Sequence, residues 1–149
     1  MIATAIAGHE QRRSDPAPIA DTDVLVVAHK VVSKAEGRIR NLNAVDPEPR
    51  ALDLGKTLGK DPRHVQVVLD ESREVLRASR GVLICVTHHG FVCANAGVDA
   101  SNVPGEDAVV LLPKDPDASA RSLRARLRHL TNAAPAATSA PTTVPERRR

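Results

Sequence analysis

Fifteen consecutive residues from His88 to Asn102, HHGFVCANAGVDASN, hold two histidines, a cysteine, two asparagines, an aspartate, a serine and two glycines. That run is too polar for a plain strand. Gly90 and Gly97 allow positive φ or close backbone approach to a ligand, so it reads as a site-forming loop between buried segments. Within it, Asp99 is a hard oxygen ligand of the type Mg²⁺ or Mn²⁺ takes, one or two carboxylates being completed by water and phosphate oxygens. Asn102 supplies both a donor and an acceptor. The same Asp99, Ser101 and Asn102 also suit an Asx turn or a cap, and spacing alone leaves both readings open.

A second polar group precedes it. HKVVSKAEGRIRNL, from His29 to Leu42, places Lys30, Ser33, Lys34 and Arg38 on a short helical segment closed by Gly37, directly after a strand. Strand, polar turn and helix can present N–H groups, a hydroxyl and cations to phosphate. A solvated helix with patterned charge fits the same residues, and no Walker A loop is present. Cys85, His88, His89 and Cys93 have the ligand types of a tetrahedral zinc site. Adjacent histidines converge poorly on one ion, so free buried thiols and no structural zinc are expected.

Three strings, VVSKAEGR at Val31–Arg38, the His88–Asn102 run and LLPKDPDASARSLR at Leu111–Arg124, lie in one order along the chain. Together they resemble the GTP-dependent coenzyme F-420-0:L-glutamate ligase family over roughly Asp23 to Leu130. The resemblance implies phosphorylation of the cofactor's terminal carboxylate by GTP and attack on the acyl phosphate by the amine of L-glutamate, with Mg²⁺ or Mn²⁺ as the metal. It puts Asp99 on the metal and Ser33, Arg38 and Asn102 on GTP, Arg38 standing where the family often has Lys. His88 or His89 would orient phosphate or substrate. The intact family is expected to form a homodimer.

The family's N-terminal strand and loop, and its C-terminal half with a further strand and an Asp-Thr pair completing the metal site, find no match. The chain therefore reads as a fragment or frameshifted copy, expected to give only traces of product alone. The alternatives are a non-catalytic remnant that binds nucleotide weakly, or a polyanion-binding adaptor using the basic C-terminal helix.

Composition narrows the field independently. A chain of 149 residues, 42% hydrophobic and 26% charged, is ordinary for one globular domain. With one Phe and no Trp or Tyr, it lacks the stacking platforms of single-strand nucleic-acid binders. Residues 114–149 hold eight basic and three acidic side chains, so the net charge of +3 is a tail property and no specific nucleic-acid partner is expected. Two cysteines make no disulfide framework, and with no signal peptide or long apolar run the expected setting is cytoplasmic, without a membrane.

The elements follow from pattern. DVLVVA (Asp23–Ala28) and GVLICVT (Gly81–Thr87) are short apolar β-branched runs, read as buried strands, with further strands near Arg38–Leu42 and Ala108–Leu112. Asp46–Leu58 and Asp61–Ser79 read as consecutive helices, the second capped by Asp61 with Pro62 at its first position and carrying Val65, Val68, Leu69, Ser72 and Leu76 at helical spacing. Asp115 and Pro116 open another helix. The expectation is an α/β (α+β) fold, a mixed sheet with flanking helices forming a partial copy of the gamma-glutamyl ligase fold. Residues 1–20 would be a helix remnant and linker, 21–130 the partial domain, and 131–149 a disordered Ala/Pro/Thr/Arg tail.

Overall fold

The computed structural model describes residues 1–10, 19–101 and 107–140. In chain order the elements are α1 (Ile2–Glu10), β1 (Val24–Ala28), α2 (His29–Ala35), β2 (Ile39–Asn41), a 3-10 turn (Leu42–Ala44), α3 (Pro49–Leu58) and α4 (Pro62–Asp70). There follow β3 (Ser72–Ser79), β4 (Val82–Thr87), β5 (Val92–Ala94), a second 3-10 turn (Asn95–Gly97), β6 (Ala108–Val110), α5 (Pro116–Thr131) and β7 (Ala136–Ala140). The class is α+β, as expected. Its parallel and antiparallel pairings are spread over three small sheets: β1 with β7 in parallel, β2 with β6 antiparallel, and the antiparallel β3-β4-β5. Among the described residues no helix is long and apolar enough to cross a membrane.

Two compact units divide the chain, one from Met1–Gly37 with the segment beginning at Pro113, the other from Arg38–Leu112. These bounds cut across the expected single domain over 21–130. In the contiguous unit, α3 and α4 pack their apolar stripes on the sheet, and Val65, Val68, Leu83, Cys85 and Val109 are fully buried. Asp61 caps α4 as expected, its carboxylate accepting from Arg63 N at 2.8 Å.

The helix expected over Asp61–Ser79 ends nine residues earlier, and Ser72 and Leu76 belong to strand β3. The helical spacing of apolar residues was continued by coincidence. What decides the segment is the two-residue connection Arg80-Gly81, with φ of 51° and 74°, which folds Ser79 back opposite Val82. Two successive positive-φ residues are what a tight hairpin requires, and they lock β3 onto β4. The Ser72 hydroxyl donates to Val68 O and closes the helix end.

In the other unit, β1 pairs with β7 in register from Val24↔Ala136 to Ala28↔Ala140. β7 corrects the expectation of a structureless tail for residues 132–140. Low apolar content predicts that a segment cannot bury side chains of its own, but here the backbone finds partners in an existing strand. Ala136 N donates to Asp23 O at 3.0 Å, Ala134 N to Asp21 Oδ1 at 2.6 Å, and the Arg124 guanidinium to the carbonyls of Pro135 and Ala134. Pro135 is fully buried. Residues 141–149 of the expected tail lie outside the described residues. β1 itself is only half buried, with Val24 and Val26 exposed, where a buried strand was expected.

Candidate functional site

The chain reaches Asp99 through a left-handed turn. β4 runs buried into the turn at Thr87–Phe91, where Thr87 N donates to Phe91 O and Phe91 N to the Thr87 hydroxyl, and β5 returns along it. Asn95, Ala96 and Gly97 then take positive φ in succession, 49°, 52° and 74°. For L-residues this costs roughly 1–2 kcal/mol each, so the surroundings must enforce it. Asn95 is tied by its side-chain oxygen to Leu83 N at 3.3 Å, Ala96 is buried, and Val98 N closes the turn on Asn95 O. A Cβ at Gly97 would lie 2.7 Å from the Leu112 side chain, so the third position demands glycine on two counts.

The turn delivers Asp99 alongside β6. Asp99 N donates to Val110 O at 3.0 Å and Val110 N to Asp99 O at 2.8 Å, while Val110 is also opposite Ile39 of β2. The backbone of Asp99 is thus fixed by a two-bond bridge to a buried strand. Its carboxylate accepts from Ser101 N at 2.6 Å, which is the Asx turn foreseen for this residue. A carboxylate offers about four acceptor positions, so an Asx turn and metal ligation are compatible in one residue. Asn102 lies outside the described residues.

One histidine that sequence reasoning missed belongs to this neighbourhood. Burial of the His64 imidazole on α4 holds its pKa below the ordinary value, helped by the Lys60 cation, while the Asp61 and Asp99 carboxylates pull the other way. His64 therefore senses the charge of Asp99. Its place in the first turn of a capped helix gave no sign of a partner so far along the chain.

The other expected site residues are placed differently. His88 shares a 2.9 Å hydrogen bond through Nε2 with Asp70 O, and the His89 ring stacks on Phe91 at a centroid distance of 5.7 Å. Arg38 is held within the contiguous unit: its Nε donates to Leu112 O at 2.9 Å and a terminal nitrogen to Glu71 at 2.8 Å. The planar fork thus closes β2 onto the end of α4. Ser33, in the other unit, is fully buried on α2, with no hydrogen-bond partner for its hydroxyl among the described residues. Cys85 and Cys93 face each other across β4 and β5, and burial, with Cys85 beside it, pushes the Cys93 thiol up. That is the setting of inert thiols.

Among the described residues no three His, Cys, Asp or Glu side chains gather into a set able to hold a metal ion.

Comparison with known proteins adds a second line of evidence. A family model described as F420-0:Gamma-glutamyl ligase matches residues 2–137. The chain is 48% identical over 117 residues to the coenzyme F420:L-glutamate ligase of Methanopyrus kandleri, covering 78% of this chain and 46% of the relative. It is 50% identical over 111 residues to that of Archaeoglobus fulgidus, covering 74% and 44%, and 43% identical over 114 residues to that of Methanocaldococcus jannaschii, covering 76% and 45%. The chain spans less than half the length of the curated relatives it matches.

Proposed function

This chain belongs to the F420-0:gamma-glutamyl ligase family, and on that premise we propose that it carries the nucleotide- and metal-binding part of a GTP-dependent ligase that adds L-glutamate to coenzyme F420-0. The observation that carries the reading is the match itself, 42–50% identity to relatives named for joining that cofactor to L-glutamate. In the proposed reaction an oxygen of the cofactor's terminal carboxylate attacks the γ-phosphorus of GTP and GDP leaves. The glutamate amine then attacks the acyl carbon, losing its proton as inorganic phosphate departs. A divalent cation supplies positive charge at the transferring phosphoryl group.

Asp99 is the residue we assign to that cation. Its backbone is fixed by the bridge to Val110 and its carboxylate oriented by Ser101 N, so ligation would require little reorganisation. His64, kept neutral by burial at neutral pH, adds no competing positive charge beside Asp99. Asn102 and Ser33 are assigned to the nucleotide. Arg38 would reach phosphate only by exchanging its bond to Glu71, and Ser33, fully buried on α2, only by a movement that exposes its hydroxyl.

The test is Mn²⁺-dependent GTP binding by the full chain, measured by titration calorimetry, followed by mass spectrometry of coenzyme F420-0 incubated with GTP, Mn²⁺, L-glutamate and the chain. Expected are GTP binding that needs the metal, and a glutamate mass increment appearing with GDP, if only in traces. Absence of metal-dependent GTP binding by folded protein would overturn the reading.

A further inference from the structure

Two side chains that the proposed reaction does not use sit directly opposite each other in the contiguous unit. Cys85 of β4 and Cys93 of β5 are register partners in an antiparallel pair, flanked by Ile84↔Ala94 and Val86↔Val92. Cross-strand partners project from the same face of a sheet, and the burial pattern says which face this is. Val92 and Ala94 are exposed, whereas Cys93 between them is half buried and Cys85 is fully buried in the core. Both thiols therefore point inward, near enough for Cys85 to help push the Cys93 thiol up. Both are free, and the chain has no third cysteine to compete for either.

Opposed residues of an antiparallel pair stand about 4.5–5.5 Å apart at Cα, inside the range of about 4.4–6.8 Å that a disulfide spans. Their Cβ atoms must approach by about 1 Å to bridge. β5 can supply that movement, because it is three residues long and, among the described residues, pairs with β4 alone. We propose that Cys85 and Cys93 form a reversible disulfide, a redox-sensitive staple on the hairpin that leads into the Asp99 turn. A single residue separates Cys93 from Asn95, where the left-handed turn begins, so the staple ties the start of that turn to a core strand.

The oxidant is a small-molecule disulfide. Cys93, the more accessible thiol, gives up its proton and attacks one sulfur of the oxidant, whose S–S bond breaks and whose other half leaves as a thiolate that takes up a proton. Cys85 then loses its proton and attacks the Cys93 sulfur, expelling the second half as a thiol. The protein gives up two hydrogens with their electrons, and the oxidant is reduced to two thiols. Protonated thiols attack slowly, so the pair is inert to brief exposure and closes under sustained oxidation, with the strand register holding Cys85 in place to resolve the mixed disulfide. The inference rests on register and burial, not on the GTP or metal reading.

The experiment incubates the reduced 149-residue chain with oxidised glutathione, quenches with acid, and measures intact mass and non-reduced peptide maps. Expected are a loss of about 2 Da that dithiothreitol reverses, and a linked pair of peptides containing Cys85 and Cys93. Cys85→Ala, which removes the resolving thiol, should instead retain one glutathione on Cys93. Cys93→Ser, which leaves the core intact and only a fully buried thiol, should retain none. Amide exchange from Val92 to Ala94 should slow at least about tenfold on oxidation of the unsubstituted chain. The proposal is overturned if that chain keeps glutathione on Cys93, links two copies through Cys93, or stays fully reduced. A disulfide that left exchange in β5 unchanged would overturn it as well, since it would staple nothing.

Discussion

β1 and β4 are nearly the same kind of sequence and meet different fates. VLVVA and VLICVT are both short runs dominated by β-branched and aliphatic residues. β4 has a partner strand on each side, supplied by a two-residue hairpin before it and a short turn after it, and it buries Leu83, Cys85, Val86 and Thr87. Among the described residues β1 has a single partner, drawn from the far end of the chain, and it leaves Val24 and Val26 exposed. Propensity marks a strand as a strand. How much of it is buried depends on how many neighbours the chain returns to it, and local turns return neighbours more reliably than distant segments do.

The comparison breaks most readily in the core of the contiguous unit. Leu83→Ala removes a fully buried side chain among Val65, Val68 and Cys85, and should cost about 2–5 kcal/mol. Val26→Ala, at an exposed position on β1, should change stability by less than about 0.5 kcal/mol. Thermal melts followed by circular dichroism measure both. Equal losses would mean that the two strands are buried alike in solution.

Deleting residues 132–149 sharpens the same contrast from the other side. It removes β7, the buried Pro135 and the carbonyls that Arg124 holds. The terminal unit should lose at least about 1 kcal/mol, which moves the melting temperature of a domain of this size by roughly 4–8 °C. Amide exchange of the contiguous unit, measured alongside, should be little altered. A melt unchanged within error would show that the pairing of β1 with β7 contributes nothing.

What the sequence made legible were the features with local causes. Asp61 and Asp115 cap their helices through their own side chains, each with proline at the first helical position, and both are in place. β4 and the end of β6 before Pro113 follow from short apolar runs bounded by turn formers. Features with distant causes were not legible. β3 continued the helical spacing of α4 until the Arg80-Gly81 hairpin overruled it, and β7 looked structureless because its partner lies more than a hundred residues earlier. At the site, Asp99 and its turn with Ser101 were visible in one short string, whereas His64 and the left-handed Asn95-Ala96-Gly97 turn were not. An alanine with positive φ is a choice that only the packed surroundings can enforce.

Asp99→Asn separates stability from function within the contiguous unit. Asn keeps the size and can still accept from Ser101 N in an Asx turn, so the melting temperature should stay nearly unchanged. It lacks the charge a divalent cation requires, so Mn²⁺-dependent GTP binding should weaken about tenfold or more, worth about 1.4 kcal/mol. Unchanged GTP affinity with an unchanged melt would leave Asp99 as a turn residue only.

The smallest effect is also the most specific to the contiguous unit, which ties its surface together with side chains of its own. The hydrogen bond from the Arg63 guanidinium holds the Asp61 carboxyl below the usual carboxylate range, opposed by partial burial and aided by the Arg63 backbone N–H. Arg63 also donates to Asp107 at 3.0 Å and to Asn43 at 2.9 Å, so the ion pair belongs to a small network. Because the folded-state pKa is depressed, this stabilisation is fully present above the unfolded carboxylate pKa of about 3.9 and is lost as pH falls through the lower folded value. Asp61→Asn preserves the helix cap, since Asn caps about as well as Asp, and removes the charge together with the second acceptor oxygen to which the Arg63 guanidinium donates. Both partners are about a third or more exposed, so solvent screening keeps the difference small. Urea midpoints of the two proteins should therefore differ slightly at pH 7, differ less at high salt, and converge as pH falls through the depressed folded value. A gap that persisted unchanged into acid would show that Asp61 acts through the geometry of its cap and not through its charge on Arg63.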